Sequence, residues 1–259
     1  MSVYQAKKYL QYKVRAKDEH ALHSPFVFSL YTEVIRNVTA FYAYEEVDAI
    51  RKRLLADTHE IEVTDLGAGS RKLGSKRKIS DIARYSVVNK KYGELLFRLA
   101  NHFKPLHVIE LGTSLGISAL YLSKAAPKAE IISIEGCPQT ASFAQKLLQS
   151  ENAQNVTVIN SEFETAFEKQ LREIFFDFVY IDGNHTYEAT KNYFTSLLTK
   201  TNENSILVFD DIYWSEGMTQ AWEEIKAHPS VTVSIDLFKF GLIFFRKENK
   251  QKENFCLKL

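Results

Sequence analysis

A chain of 259 residues, 45% hydrophobic and 25% charged, has the make-up of a soluble globular protein and the length for one sizeable domain with or without an extension. Its 33 basic and 32 acidic residues leave a formal charge of +1, so net charge gives no argument for a polyanionic partner. Two cysteines exclude a disulfide framework, and no apolar stretch has the length of a bilayer span, so the expected location is the cytoplasm, with no membrane partner.

Along the chain, the first 85 residues mix helical segments with polar and basic connectors. Tyr4 to Lys17 suits a helix. Ser24-Pro25 supplies a cap and a first-turn proline for a second helix through Phe26, Phe28, Leu30, Val34 and Ile35. Val47, Ile50, Leu54 and Leu55 mark a third, within Glu45 to Ala56. A helix with Leu95, Leu96, Leu99 and Phe103 ends near Pro105, and apolar strands then alternate with helices. The strands run His107 to Leu111, Glu130 to Ile134, Val156 to Ile159, Phe176 to Ile181 and Ser205 to Phe209. Such runs, separated by helices, predict a parallel sheet covered on both faces. Val231 to Leu237 and Gly241 to Phe245 lie too close for a crossover helix and should pair antiparallel. The expected fold is α/β: a Rossmann-like, doubly wound, mostly parallel sheet with an antiparallel last strand. Residues 1–85 form an N-terminal helical extension with a basic loop, 86–248 the main domain and 249–259 a C-terminal tail.

Val108-Ile109-Glu110-Leu111-Gly112-Thr113-Ser114-Leu115-Gly116 is an apolar strand running into a glycine turn and then a helix. Open parallel sheets bind ligands at such strand ends. The dinucleotide spacing G-x-G-x-x-G is absent, and Glu110 would repel a pyrophosphate while suiting a cationic, phosphate-free cofactor. The next strand ends in Glu135, placed to accept hydrogen bonds from two ribose hydroxyls. The bland alternative is an ordinary strand–turn–helix beside a solvated glutamate.

With Lys91-Tyr92-Gly93-Glu94-Leu95-Leu96 before the strand, these residues resemble the class I methyltransferases, and within them the metal-dependent O-methyltransferases of the catechol and antibiotic-tailoring types. The resemblance covers roughly Lys90 to Arg246. It implies S-adenosylmethionine as cofactor, with Glu110, Gly112, Thr113, Gly116 and Ser118 along its methionine part. It also implies Glu135 on the ribose, Ser161 and Glu162 near the adenine, and Asp182 beside the cofactor.

Two further strands end in Asp182-Gly183-Asn184-His185-Thr186-Tyr187 and in Asp210-Asp211-Ile212-Tyr213-Trp214. Carboxylates collected at neighbouring strand ends repel one another, and a cation relieves this; hard oxygen donors favour magnesium, manganese or calcium over zinc. Asp182 and Asp210 could instead be helix caps. The resemblance implies a metal on Asp182, Asp210 and Asp211, although the catechol type has asparagine at the position of Asp211. It also sets His185 where catechol-type enzymes carry a catalytic lysine, in an Asp-Gly-x-His-x-Tyr pattern of the tailoring type. A neutral imidazole is a reasonable base for a metal-acidified hydroxyl, so His185 and Asp182 are the catalytic candidates. Otherwise His185 is a first-turn residue bonding backbone.

Asp65-Leu66-Gly67-Ala68-Gly69 mimics a second cofactor turn, but the basic stretch that follows, Arg71 to Lys78, is too polar to open a buried helix. That stretch could meet nucleic acid phosphates, with a solvated loop as the alternative. Trp214 and Tyr213 are candidates for the wall of an acceptor pocket or for core packing. The leading expectation is an S-adenosylmethionine-dependent O-methyltransferase acting on a small hydroxylated acceptor with a divalent metal such as magnesium, its N-terminal helices covering the cofactor edge or forming a homodimer contact. The alternatives are an RNA (tRNA) methyltransferase and a non-catalytic nucleoside-binding module.

Overall fold

The computed structural model describes residues 2–64, 75–169, 171, 174–249 and 251–259. Asp65 to Gly69 and Arg71 to Gly74 lie outside them. The chain divides into two compact units, one made of Met1–Asn37 with Glu173–Leu259 and the other of Val38–Arg172.

Helix α1, Val3–Arg15, opens on a reciprocal cap: the Ser2 hydroxyl accepts from the Gln5 amide, and the Gln5 side chain accepts from the Ser2 amide. Helix α2, Pro25–Leu30, starts on its proline as expected and continues as a π turn over Tyr31–Ile35. Both belong to the first unit.

The second unit begins with α3, Tyr42–Ala56, followed by a hairpin absent from the sequence expectation, β1 Glu60–Val63 against β2 Ser75–Lys78. Strand β2, Ser75-Lys76-Arg77-Lys78, is exposed throughout and lacks the apolar alternation that marks a half-buried strand, while Glu60-Ile61-Glu62-Val63 alternates over only four residues. Helices α4, Ile79–Tyr85, and α5, Lys90–Phe103, lead into β3, His107–Leu111. The chain then alternates through α6 Ile117–Ala125, β4 Glu130–Glu135, α7 Pro138–Ser150, β5 Val156–Asn160 and α8 Phe163–Lys169. Strands β3, β4 and β5 are parallel, with Glu110 opposite Ser133 and Glu135 opposite Asn160.

The chain re-enters the first unit at β6, Phe178–Ile181, followed by α9 Tyr187–Leu198, β7 Ile206–Phe209 and α10 Glu216–Ala227. Parallel β6 and β7 are buried along their whole length, as continuously apolar strands covered on both faces must be. Strands β8, Val233–Leu237, and β9, Phe240–Phe244, form the expected antiparallel pair, with β9 also antiparallel to β7. Residues 249–259, expected as a tail, supply β10, Glu253–Cys256, parallel to β8. The α/β class, the mostly parallel order and the N-terminal helices are as the sequence implied. Among the described residues no helix is long and apolar enough to cross a membrane.

Candidate active site

In the second unit the turn after β3 is built by backbone conformation. Gly112 and Gly116 have φ of 104° and 85°, a region in which a β-carbon is strained, and Ser114 joins them at 48°. The amides of Gly112 and Thr113 both donate to the Ile134 carbonyl, at 2.9 and 3.3 Å, tying the turn to β4. Glu135, at the end of β4, accepts from the Ser114 amide on one carboxylate oxygen and from the Cys137 amide on the other, each at 2.9 Å. One side chain therefore fixes two neighbouring loops. Burial raises its pKa, and the backbone donors oppose that rise. Asn160, not anticipated, donates its side-chain amide to the carbonyls of Glu135 and Gly136 and holds that strand end.

Glu110 lies beneath the turn rather than on it. Its carboxylate has no exposure and accepts the hydroxyl of Ser133, which is also 2.5 Å from the Thr113 hydroxyl. Thr113 and Ser118 are buried, the Ser161 amide donates to the Glu135 carbonyl, and Glu162 is exposed.

In the first unit the ends of β6 and β7 bring Asp182, His185, Asp210 and Asp211 together, with two residues that the sequence reading missed. Tyr180 stands two residues before Asp182, hence on the same strand face. Its hydroxyl lies 3.1 Å from both Asp182 and Asp210, and its single proton serves one carboxylate at a time. Lys239, between β8 and β9, sets its ammonium 3.1 Å from Asp210 Oδ1 and 3.0 Å from Asp211 Oδ1. His185 Nε2 is 3.5 Å from Asp182 Oδ1. Burial, then the negative charge of Asp182, pushes the Asp210 pKa well up against the pull of Lys239.

Residues 109–212 match a family described as a methyltransferase domain. Solved structures share the fold of most of the chain at low identity. The O-methyltransferase from Bacillus cereus in complex with SAH is 16% identical, with a TM-score of 0.57 over 86% of this chain and 97% of that one. The O-methyltransferase TomG from Streptomyces achromogenes, involved in tomaymycin synthesis and in complex with SAM, is 18% identical, with a TM-score of 0.55 over 85% and 95%. The SAH-bound methyltransferase PaMTH1 from Podospora anserina is 17% identical, with a TM-score of 0.56 over 82% and 99%. No curated protein matches the chain in sequence.

Both candidate clusters draw on the matched residues, but the expected metal ligands do not assemble as a ligand set. Among the described residues no group of three His, Cys, Asp or Glu side chains is placed to hold a metal ion. The oxygens of Asp210 and Asp211 that a dication would need are turned to the Lys239 ammonium, so the donor set does not fit a metal. Sequence patterning gave no sign of this, because Lys239 is a lone lysine in an otherwise apolar Leu237-Phe238-Lys239-Phe240 run. Tyr213 is core rather than pocket wall, buried with its hydroxyl on Asp236 at 2.5 Å. Trp214 is half exposed, its ring 5.9 Å from that of His185. The described end of the basic stretch, Ser75–Lys78, is an exposed strand.

Proposed function

We propose that the protein is an S-adenosylmethionine-dependent methyltransferase acting on a hydroxyl oxygen of a small molecule. The observation that carries this reading is the glycine turn of Gly112 to Gly116, pinned to Glu135 above the buried Glu110. The cofactor, when bound, supplies an electrophilic methyl group on a sulfonium. The residues present suit it: a turn of close backbone approach, a buried carboxyl beneath it, and a carboxylate at the next strand end whose remaining lone pairs can take ribose hydroxyls. Gly112, Thr113, Gly116, Ser118 and Glu135 would hold it, with Ser161 and Glu162 towards the adenine.

In this reading His185 removes the acceptor proton while Asp182 orients the imidazole and stabilises its charged form. Displacement at carbon needs the oxygen in line with the bond that breaks, so positioning supplies most of the acceleration. No step is assigned to a divalent metal, because the carboxylates already face Lys239. The two free thiols, Cys137 and Cys256, suit a reducing compartment such as the cytoplasm.

A thermal-shift comparison tests the cofactor reading. S-adenosylhomocysteine should raise the melting temperature and NAD should leave it unchanged, since only a ligand of the native state stabilises. Glu135→Ala should weaken the nucleoside's binding by about 1.5–3 kcal/mol, the worth of charged hydrogen bonds. A shift with NAD and none with the nucleoside would discard the proposal. Transfer of labelled methyl to a panel of phenols, catechols and sugars then identifies the acceptor class.

A further inference from the structure

We propose that Lys239 is a resident counter-cation for Asp182, Asp210 and Asp211, so that this cluster takes no divalent metal and its chemistry runs without one. The first support is the distribution of proton donors. Asp182 Oδ1 faces His185 at 3.5 Å and its Oδ2 faces the Tyr180 hydroxyl at 3.1 Å. Asp210 Oδ2 faces the same hydroxyl, while its Oδ1 accepts from the Asp211 amide at 2.7 Å and from Lys239. Asp211 Oδ1 takes Lys239 as well. Four of the six carboxylate oxygens thus have a donor at any one time, since the Tyr180 proton serves either Asp182 or Asp210. A magnesium or manganese ion needs such oxygens at roughly 2.0–2.6 Å, converging on one point and clear of a competing cation. Entry of the ion would require expelling the ammonium or accepting its repulsion at close range.

The second support is that Lys239 is held, not swinging. It occupies a two-residue turn between the paired Leu237 and Phe240, its amide on the Leu237 carbonyl at 2.9 Å and its carbonyl taking the Ile212 amide at 3.3 Å. The preceding Phe238 has φ of 69°, a conformation costly for an aromatic residue and kept only where surroundings impose it. Those surroundings are the rings of Tyr9, Tyr12 and Tyr213 at 4.9, 5.4 and 5.6 Å, with the Phe238 amide on Asp236 Oδ1 at 2.8 Å. Only 22% of the Lys239 side chain is exposed. A turn this constrained aims one ammonium at one pair of carboxylates, which an ordinary surface lysine does not require.

The inference rests on the methyltransferase reading only where it speaks of turnover; the cation assignment is tested on the protein alone. Manganese titration followed by the electron paramagnetic resonance of the free ion should show no stoichiometric binding to the wild type. Lys239→Met should open one site per chain, and Lys239→Arg, which keeps the charge, should not. One manganese ion bound per wild-type chain and lost in Asp211→Asn overturns the proposal, as does a folded Lys239→Met that still binds none. If Lys239→Met does not fold, the wild-type titration decides by itself. With an acceptor in hand, turnover should be unchanged by excess chelator. Absence of a thermal shift with S-adenosylhomocysteine would count against the methyltransferase reading while leaving the manganese result intact.

Discussion

For His185 two effects oppose each other. Burial disfavours the imidazolium, but the hydrogen bond and charge of Asp182, followed by the charges of Asp211 and Asp210, outweigh it and raise the pKa above 6.5. Asp182 answers in the opposite sense: burial works to raise it, and its bond to His185 leaves it below 3.8. The sign of the linkage follows. The raised histidine contributes stability that is complete below 6.5 and is lost as pH climbs through its folded value. The lowered aspartate contributes stability above 3.8 that is lost as pH falls through its folded value. The pair is therefore strongest between those limits, and a base of this kind works only as pH rises past the folded value of the histidine. Nuclear magnetic resonance titration of the His185 ring should give a pKa above 6.5 that Asp182→Asn lowers. A value at or below 6.5 in the wild type would show that the pairing is not maintained in solution.

At the scale of elements, the β8–β9 turn determines what the strand-end carboxylates meet, and it rests on a buried carboxylate of its own. Asp236 accepts from the Tyr213 hydroxyl and the Phe238 amide. Burial raises its pKa, and the Tyr213 hydroxyl opposes the rise. Tyr213→Phe removes that donor and should cost about 1–3 kcal/mol. A carboxyl whose folded pKa is raised favours the fold at low pH and disfavours it as pH passes that value. The variant should accordingly lose more stability at pH 7 than at pH 4, read from denaturant midpoints; an equal loss at both would exclude Asp236 as the source. The same elements show where the sequence was readable. Strands β3, β4, β6 and β7 are apolar runs followed by acidic residues, so Glu135, Asp182, Asp210 and Asp211 could be placed by pattern alone. Lys239 could not, because its turn lacks the glycine or asparagine that usually marks a two-residue hairpin, and a strained Phe238 does that work instead. The bond of Glu110 to Ser133 was not legible, because a strand-end position says nothing of the residue opposite it.

For the molecule as a whole, the N-terminal helices were expected to cover the cofactor edge or form a dimer contact, because helices distant in sequence carry no mark of their partners within the chain. The first 37 residues are tied to the rest of the first unit. The hydroxyl of Tyr4 donates to Thr219 at 2.7 Å, that of Tyr12 to the Leu257 carbonyl at 2.6 Å, and that of Ser24 to Glu253 at 2.9 Å. Lys17 bridges to Leu257, and Phe26 packs edge-on to Phe244 beneath the Arg246 guanidinium. Val27, Leu30, Tyr31, Val34 and Ile35 are almost wholly buried. At about 1.5–3 kcal/mol for each buried side chain, these five represent a sum of the order of a domain's entire net stability. Removing residues 1–37 also strips Tyr9 and Tyr12 from Phe238 and so loosens the turn that aims Lys239. A chain starting at Val38 should be insoluble or should melt well below the full chain. The milder Tyr12→Phe, which loses one hydrogen bond to β10's neighbour Leu257, should cost about 0.5–1.5 kcal/mol. A soluble truncated chain with an unchanged melting temperature would mean that these contacts add nothing to the fold, and that the N-terminal helices serve a different purpose.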